Sequence, residues 1–224
     1  EMLRSLVGSE MCIRDRNGNK QINVSIPGLF NVFNAMLAAS VCMKLGIDLD
    51  TIAEGLKSVK GVSGRMESLP AEGFDFSVIL DFAHTPDGLS NLLSAVQGFA
   101  KGRVIAVFGC GGDRDNAKRP IMGATAAKLA DFCVVTSDNP RTEDPTRIIN
   151  MVLEGVRSEK TEYVVIENRR EAIRYALNIA KKDDVVVLAG KGHENYQEIN
   201  GIKHPFDEKI IVAEILEDMR CGRK

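Results

Sequence analysis

Apolar residues recur at three- and four-residue steps from Asn31 onward: Val32, Phe33, Met36, Leu37, Val41 and Leu45 fall on one stripe, with Ser40 in register. That period marks an amphipathic helix, and Gly46 supplies its stop. A second helix follows, with Asp50 read as its N-cap, Ile52, Ala53, Leu56 and Val59 as one face, and Gly61 as the residue past its end. The segment before about Asn19 has neither sustained periodicity nor an evident partner, so no element is assigned to it.

Past Gly64 the texture changes. Short continuous apolar runs at residues 78–82, 104–108, 132–136, 163–166 and 185–189 alternate with longer mixed stretches at 86–100, 119–130, 145–156 and 169–181. The short runs suit strands buried on both faces, and the longer stretches suit helices. Parallel neighbours need crossover connections, so strand then helix, repeated, predicts an α/β fold: a mostly parallel sheet flanked by helices. Residues 197–203 are read as a hairpin around Asn200-Gly201, and Asp207 as the cap of a last helix running to Met219.

In such a sheet, ligands sit where the loops leave the carboxyl ends of the strands. Four of those loops are rich in polar residues: DFAHTPD (81–87), GCGGDRDNAKRP (109–120), SDNPRTEDP (137–145) and GKGHE (190–194). The glycines of the second allow close backbone approach to a ligand, and Asp113, Arg114, Asp115, Lys118 and Arg119 crowd charge into it. In the third, Pro140 stiffens the turn that presents Arg141. Each loop alone has a plain structural explanation, as a turn device or a satisfied histidine. Four on one sheet edge point to a binding site.

Charge and cysteine usage narrow the partners. The chain has 29 Lys+Arg against 31 Asp+Glu, so no global field draws it to nucleic acid or an anionic membrane, and an anion must be met locally. No apolar run reaches the roughly 18 residues that span a bilayer, and no signal-peptide pattern opens the chain, so a cytoplasmic location is expected. Cys12, Cys42, Cys110, Cys133 and Cys221 are scattered without ligand spacing and read as reduced thiols, Cys42 and Cys133 as small core residues. No base stands near Cys110 in sequence, which argues against a nucleophilic role.

The four loops, in this order, together with GLFNVFNAMLAAS (28–40) and GRME (64–67), resemble the Mur ligases, ATP-dependent peptide ligases of cell-wall synthesis, and among them the diaminopimelate-adding members. The likeness runs from about Ile22 to the end. It implies a short helical remnant of a central ATPase domain at 22–64 and a Rossmann-like carboxy-terminal domain at 65–224, with 1–21 unassigned and possible non-native origin. The family reaction activates a carboxylate with ATP and Mg2+ as an acyl phosphate, which an incoming amine attacks. The resemblance places Asn31 and Asn34 at the adenine, Arg65 and Asp81 near ribose and phosphates, and His84 in the same catalytic motif.

For the incoming amino acid, the resemblance implies Arg114, Asp138, Asn139, Pro140, Arg141, Gly190 and Glu194. The partners implied are meso-diaminopimelate and a UDP-N-acetylmuramoyl dipeptide, with the protein a monomer. Diaminopimelate exceeds lysine by one carboxylate, which the planar fork of Arg141 can grip bidentately. No P-loop of the form G-x-x-x-x-G-K-[ST] occurs in the chain, and no family lysine that could be carbamylated as a magnesium ligand precedes Ile22, so no metal ligand is expected within it. The expectation is a part of a longer ligase, inactive alone. A stand-alone amino-acid-binding module and another ligase of the superfamily, such as a folylpolyglutamate-type enzyme, remain open readings.

Overall fold

A computed structural model describes residues 9–15, 18–24, 29–59 and 61–222. Gly28, which opens the GLFNVFNAMLAAS motif, lies outside them, as do residues 1–8. The chain divides into two compact units, Glu1–Val62 and Ser63–Lys224.

In the first unit, β1 (Ser9–Asp15) pairs antiparallel with β2 (Gly18–Val24), followed by α1 (Leu29–Lys44) and α2 (Leu49–Ser58). The sequence reading left the segment of β1 without an element. Its period-two alternation of Met11 and Ile13 is too short to stand out until pairing sets Met11 opposite Ile22.

The face of α1 also differs from expectation. Ala35 and Ala39 are buried with Ile22 and Ile52, whereas Phe33, Leu37, Val41 and Leu45 of the predicted stripe are exposed, Leu45 at 75%. A helix that is apolar on nearly every side gives periodicity no face to choose. On α2 the N-cap is Asp48 and not Asp50: Asp48 has extended backbone, and its Oδ1 accepts from the amides of Asp50 at 3.0 Å and Thr51 at 2.9 Å. Asp50 is already inside the first turn. The helix ends at Ser58 on an extended Val59, before Gly61 is reached.

The second unit holds β3 (Glu67–Leu69), β4 (Ser77–Asp81), α3 (Pro86–Gln97), β5 (Val104–Phe108), α4 (Lys118–Leu129), β6 (Phe132–Val135), α5 (Pro145–Val156), β7 (Glu162–Val165), α6 (Arg169–Ile179), β8 (Val185–Ala189), the hairpin β9 (Tyr196–Ile199) and β10 (Ile202–Pro205), and α7 (Glu208–Arg220). The main sheet runs β3-β4-β8-β5-β6-β7, parallel except for β3, which pairs antiparallel with β4. The predicted parallel sheet is therefore present, with the unforeseen three-residue β3 at one edge.

Along the central strands Val78 and Leu80, Ile105 and Val107, and Val186 and Leu188 point to one face, where α6 and α7 cover them with Ile173, Leu177, Val212 and Ile215. Helices α3, α4 and α5 pack against the sheet from the other side. Edge strand β7 departs from the both-faces expectation, with Tyr163 and Val165 exposed. The hairpin turns as predicted: Asn200 and Gly201 both take positive φ, the geometry of a type I′ turn. No described helix is long and apolar enough to cross a membrane.

Because β8 returns from the far edge to lie between β4 and β5, the loops after β4, β5, β6 and β8 converge at one end of the sheet.

Candidate functional site

At that end lies a cavity of about 290 Å³ whose lining comes from all four loops. Its wall holds cations, Arg114, Lys118 and Arg141, and anions, Asp138 and Glu194. Cys110, Gly109 and Gly111 line it too, between β5 and α4.

One side rests on buried charge. Asn139 accepts at Oδ1 from Lys191 Nζ at 3.0 Å and from the Glu198 amide at 2.9 Å, and donates from Nδ2 to Glu194 Oε2 at 2.9 Å. Those partners fix which way its amide faces. Asp138 accepts the Asn139 amide at 2.7 Å and stands 3.8 Å from Arg169 Nη1. Arg169 is buried and donates to Glu208 Oε1 at 2.8 Å and to the Ala189 carbonyl at 2.9 Å.

Burial opposes the charge of Arg169, but Glu208 and Asp138 more than offset it and hold its pKa above the ordinary value. For Lys191 burial wins: desolvation, aided by Arg169, lowers its pKa against the pull of Asp138 and Glu194. Gly190 closes this floor. At φ 123° it adopts backbone that L residues avoid, and a Cβ there would stand 2.6 Å from Asp138 Oδ2.

Outside the lining, a half-exposed brace ties the second loop to the third. Arg119, fully buried, forks onto Glu143 with bonds of 2.9 and 2.7 Å, and Glu143 Oε1 accepts the Asp113 amide at 2.5 Å. The Asp113 carboxylate in turn accepts from the Thr142 hydroxyl at 2.8 Å. The Arg119 bonds hold the Glu143 pKa down at about 2. Arg114 is exposed beside this brace, and Arg141 follows Pro140 at φ 51°.

The first loop contributes His84, whose Nδ1 is 2.8 Å from the Phe82 carbonyl, and whose own carbonyl accepts from Lys118 Nζ at 2.9 Å. Asp81 is buried behind it. Its two oxygens accept the amides of Met66 and Ala83, each at 2.7 Å, and burial raises its pKa against those bonds and against Arg65. Arg65 is exposed, with its guanidinium 5.0 Å from the centre of the Phe82 ring.

The fold thus gathers His84, Arg114, Asp138, Asn139, Arg141, Gly190 and Glu194 around one cavity, with Arg65, Asp81 and Pro140 outside its lining. Asn31 and Asn34 lie one turn apart on α1 of the first unit. Sequence reasoning named Lys118 among the charges of the second loop without giving it a role, and passed over Phe82 and Thr85 in the wall and Lys191, Arg169 and Glu208 behind it. Lys191 was visible within GKGHE, but Arg169 and Glu208 open helices far from every motif and carry no local signal. Cys110 lines the cavity yet is buried, which pushes its thiol up to about 12. Cys42, Cys110, Cys133 and Cys221 are free thiols, Cys133 fully buried and Cys42 half-buried.

Comparison with known proteins agrees with the geometry. Residues 64–192 match the family model described as Mur ligase, glutamate ligase domain. The chain is 51% identical over 218 residues to the UDP-N-acetylmuramoyl-L-alanyl-D-glutamate--2,6-diaminopimelate ligase of Caldanaerobacter subterraneus subsp. tengcongensis, covering 97% of this chain and 45% of that protein. A ligase of Clostridium acetobutylicum with the same designation, numbered 1, is 47% identical over 213 residues, covering 95% and 44%. This chain therefore spans less than half the length of the curated relatives it matches. A solved UDP-N-acetylmuramoyl-L-alanyl-D-glutamate--2,6-diaminopimelate ligase superposes with a TM-score of 0.70 at 37% identity over 96% of this chain and 44% of that one. A pseudomurein peptide ligase type C from Methanothermus fervidus, at 21% identity and TM-score 0.70 over 95% and 40%, shares the fold. With the matched segment covering the six-stranded sheet, the first three cavity loops and the start of the fourth, this chain belongs to the Mur ligase family.

Proposed function

We propose that the cavity binds the incoming amino acid of an amide ligation, that this amino acid is meso-diaminopimelate, and that the chain is the amino-acid-binding part of an ATP-dependent ligase extending a UDP-N-acetylmuramoyl dipeptide in the cytoplasm. The observation that carries the reading is the paired charge of one small wall: Arg114 and Arg141 among its cations, Asp138 and Glu194 among its anions. A ligand with two carboxylates and two ammonium groups complements both signs at once. Glu194 engages Asn139 and Lys191 through Oε2, so Oε1 is available to an ammonium group. Arg141 meets the carboxylate that distinguishes diaminopimelate from lysine.

ATP, when bound, supplies activation of the acceptor carboxylate as an acyl phosphate. Among the described residues no group of three or more His, Cys, Asp or Glu could hold a metal, and both Asp81 oxygens already accept amides. The donor set thus does not fit Mg2+, and no phosphoryl-transfer step is assigned to these side chains. Toward the nucleotide the second unit offers Arg65, and the first unit, taken by itself, offers Asn31 and Asn34. Its own contribution is to bind the amino acid, orient its amine and reject the wrong one.

Titration calorimetry of the chain with meso-diaminopimelate and with L-lysine tests this reading. Leaving the Arg141 fork unpaired against lysine should weaken binding by on the order of a hundredfold. Arg141→Ala should bring the two ligands within a few-fold of each other. Equal binding of both by the parent chain would sink the substrate assignment.

A further inference from the structure

The β9–β10 hairpin is absorbed by none of the roles above, yet it grips the third loop. Glu198 of β9 holds that loop through three groups: its amide donates to Asn139 Oδ1 at 2.9 Å, its carbonyl accepts the Arg141 amide at 3.0 Å, and its carboxylate stands 3.3 Å from Arg141 Nε. The next turn adds a fourth tie, from the Asn200 amide to the Arg141 carbonyl at 2.7 Å. These bonds frame a residue in left-handed backbone, which a non-glycine residue keeps only where its surroundings over-determine it.

The guanidinium is framed as closely. Nη1 donates to the Gly112 carbonyl at 2.8 Å, and a Cβ at Gly111 would stand 2.9 Å from that same nitrogen. Of the five N–H donors of an arginine, one Nη1 proton is thereby given to the protein, while Nε lies in ion-pair contact with the Glu198 carboxylate. Nη2 and the second Nη1 proton remain, and together they form an edge able to take a carboxylate bidentately. Glu198 itself is not part of the cavity lining, whereas Arg141 is.

We propose that Glu198 is a positioning and specificity-determining residue: by holding Nε from behind, it turns the outer edge of the Arg141 guanidinium into the cavity. The inference rests on the reading that Arg141 meets the distinguishing carboxylate. Two effects of the Glu198 charge oppose each other. It locks the guanidinium, and it also repels an incoming carboxylate across that group. The pair is only partly buried, at 17% and 24% side-chain exposure, so screening weakens the repulsion over the longer distance more than it weakens the direct contact. Positioning therefore dominates.

Calorimetry on the full chain, with meso-diaminopimelate and L-lysine as probes, separates the two effects. Glu198→Ala should lower the preference for diaminopimelate at least tenfold while leaving lysine affinity within about twofold. Glu198→Gln, which keeps the size of the side chain and an oxygen beside Nε but not the charge, should recover part of that preference, and circular dichroism should show all variants folded. Preference unchanged in Glu198→Ala, or raised in both variants, overturns the inference. If Arg141→Ala retains the preference, the underlying assignment of Arg141 fails instead. If Arg141→Ala abolishes it and Glu198→Ala does not, only the role of Glu198 falls.

Discussion

Two arginine-centred clusters hold the cavity, and they do so in different ways. Behind the floor, Arg169 and Glu208 are both fully shielded from solvent, and Arg169 Nη1 and Glu208 Oε2 lack a hydrogen-bond partner among the described residues. On the rim, Arg119 is equally buried and its Nε likewise lacks a partner among the described residues, but its carboxylate partner Glu143 keeps 20% side-chain exposure. Removing a partner in the dry cluster strands a charge in low dielectric, whereas water can step in at the rim. The difference teaches that the buried charge behind Asp138 and Asn139 is built to be rigid, and that the brace beside Arg114 is tied by bonds that solvent can reach.

The largest effect tests the floor. Glu208→Leu leaves Arg169 without its hydrogen-bonded carboxylate, with Asp138 at 3.8 Å as its remaining ion pair, and chemical denaturation should show a loss of about 3–5 kcal/mol. A loss below about 1 kcal/mol would mean the two clusters do not differ in kind. Next, Gly190→Ala forces a side chain into φ 123° and against Asp138, which should lower stability by about 1–3 kcal/mol and weaken amino-acid binding as Asp138 shifts. Retained binding with lowered stability would detach Gly190 from the site.

The smallest effect belongs to the rim. Glu143→Gln should lower stability by about 1 kcal/mol at neutral pH. The folded Glu143 pKa, about 2, lies below its ordinary 4.5, so the parent's advantage is fully present above about 4.5 and disappears as pH falls toward 2. Thermal unfolding of both proteins across that window checks the sign. A difference that grows on acidification would show that Arg119 does not hold the carboxylate ionised.

The sheet was legible because its strands are short unbroken apolar runs, such as residues 104–108 and 185–189, and because each is followed by a helix-length stretch. The cavity loops were legible for the same reason, since strand ends locate them. Less legible was α1, whose apolar residues occupy so many positions that burial of Ala35 and Ala39 over Leu37 and Leu45 could not be read from spacing. The N-cap of α2 slipped by two residues because Asp48 and Asp50 are both plausible caps, and only backbone geometry separates them. Strand β3 went unseen because three residues carry no usable period.

By itself the sequence determined the α/β class, the convergence of four polar loops and the family, since local periodicity and motif order are properties of the chain. Tertiary structure alone decided which charges meet. Arg169 and Glu208, 39 positions apart, and Arg119 and Glu143, 24 apart, become partners only when helices close on the sheet. Glu198 reaches Arg141 by the same route, across a distance in sequence that no spacing rule spans, because a hairpin folds back onto the loop that follows β6.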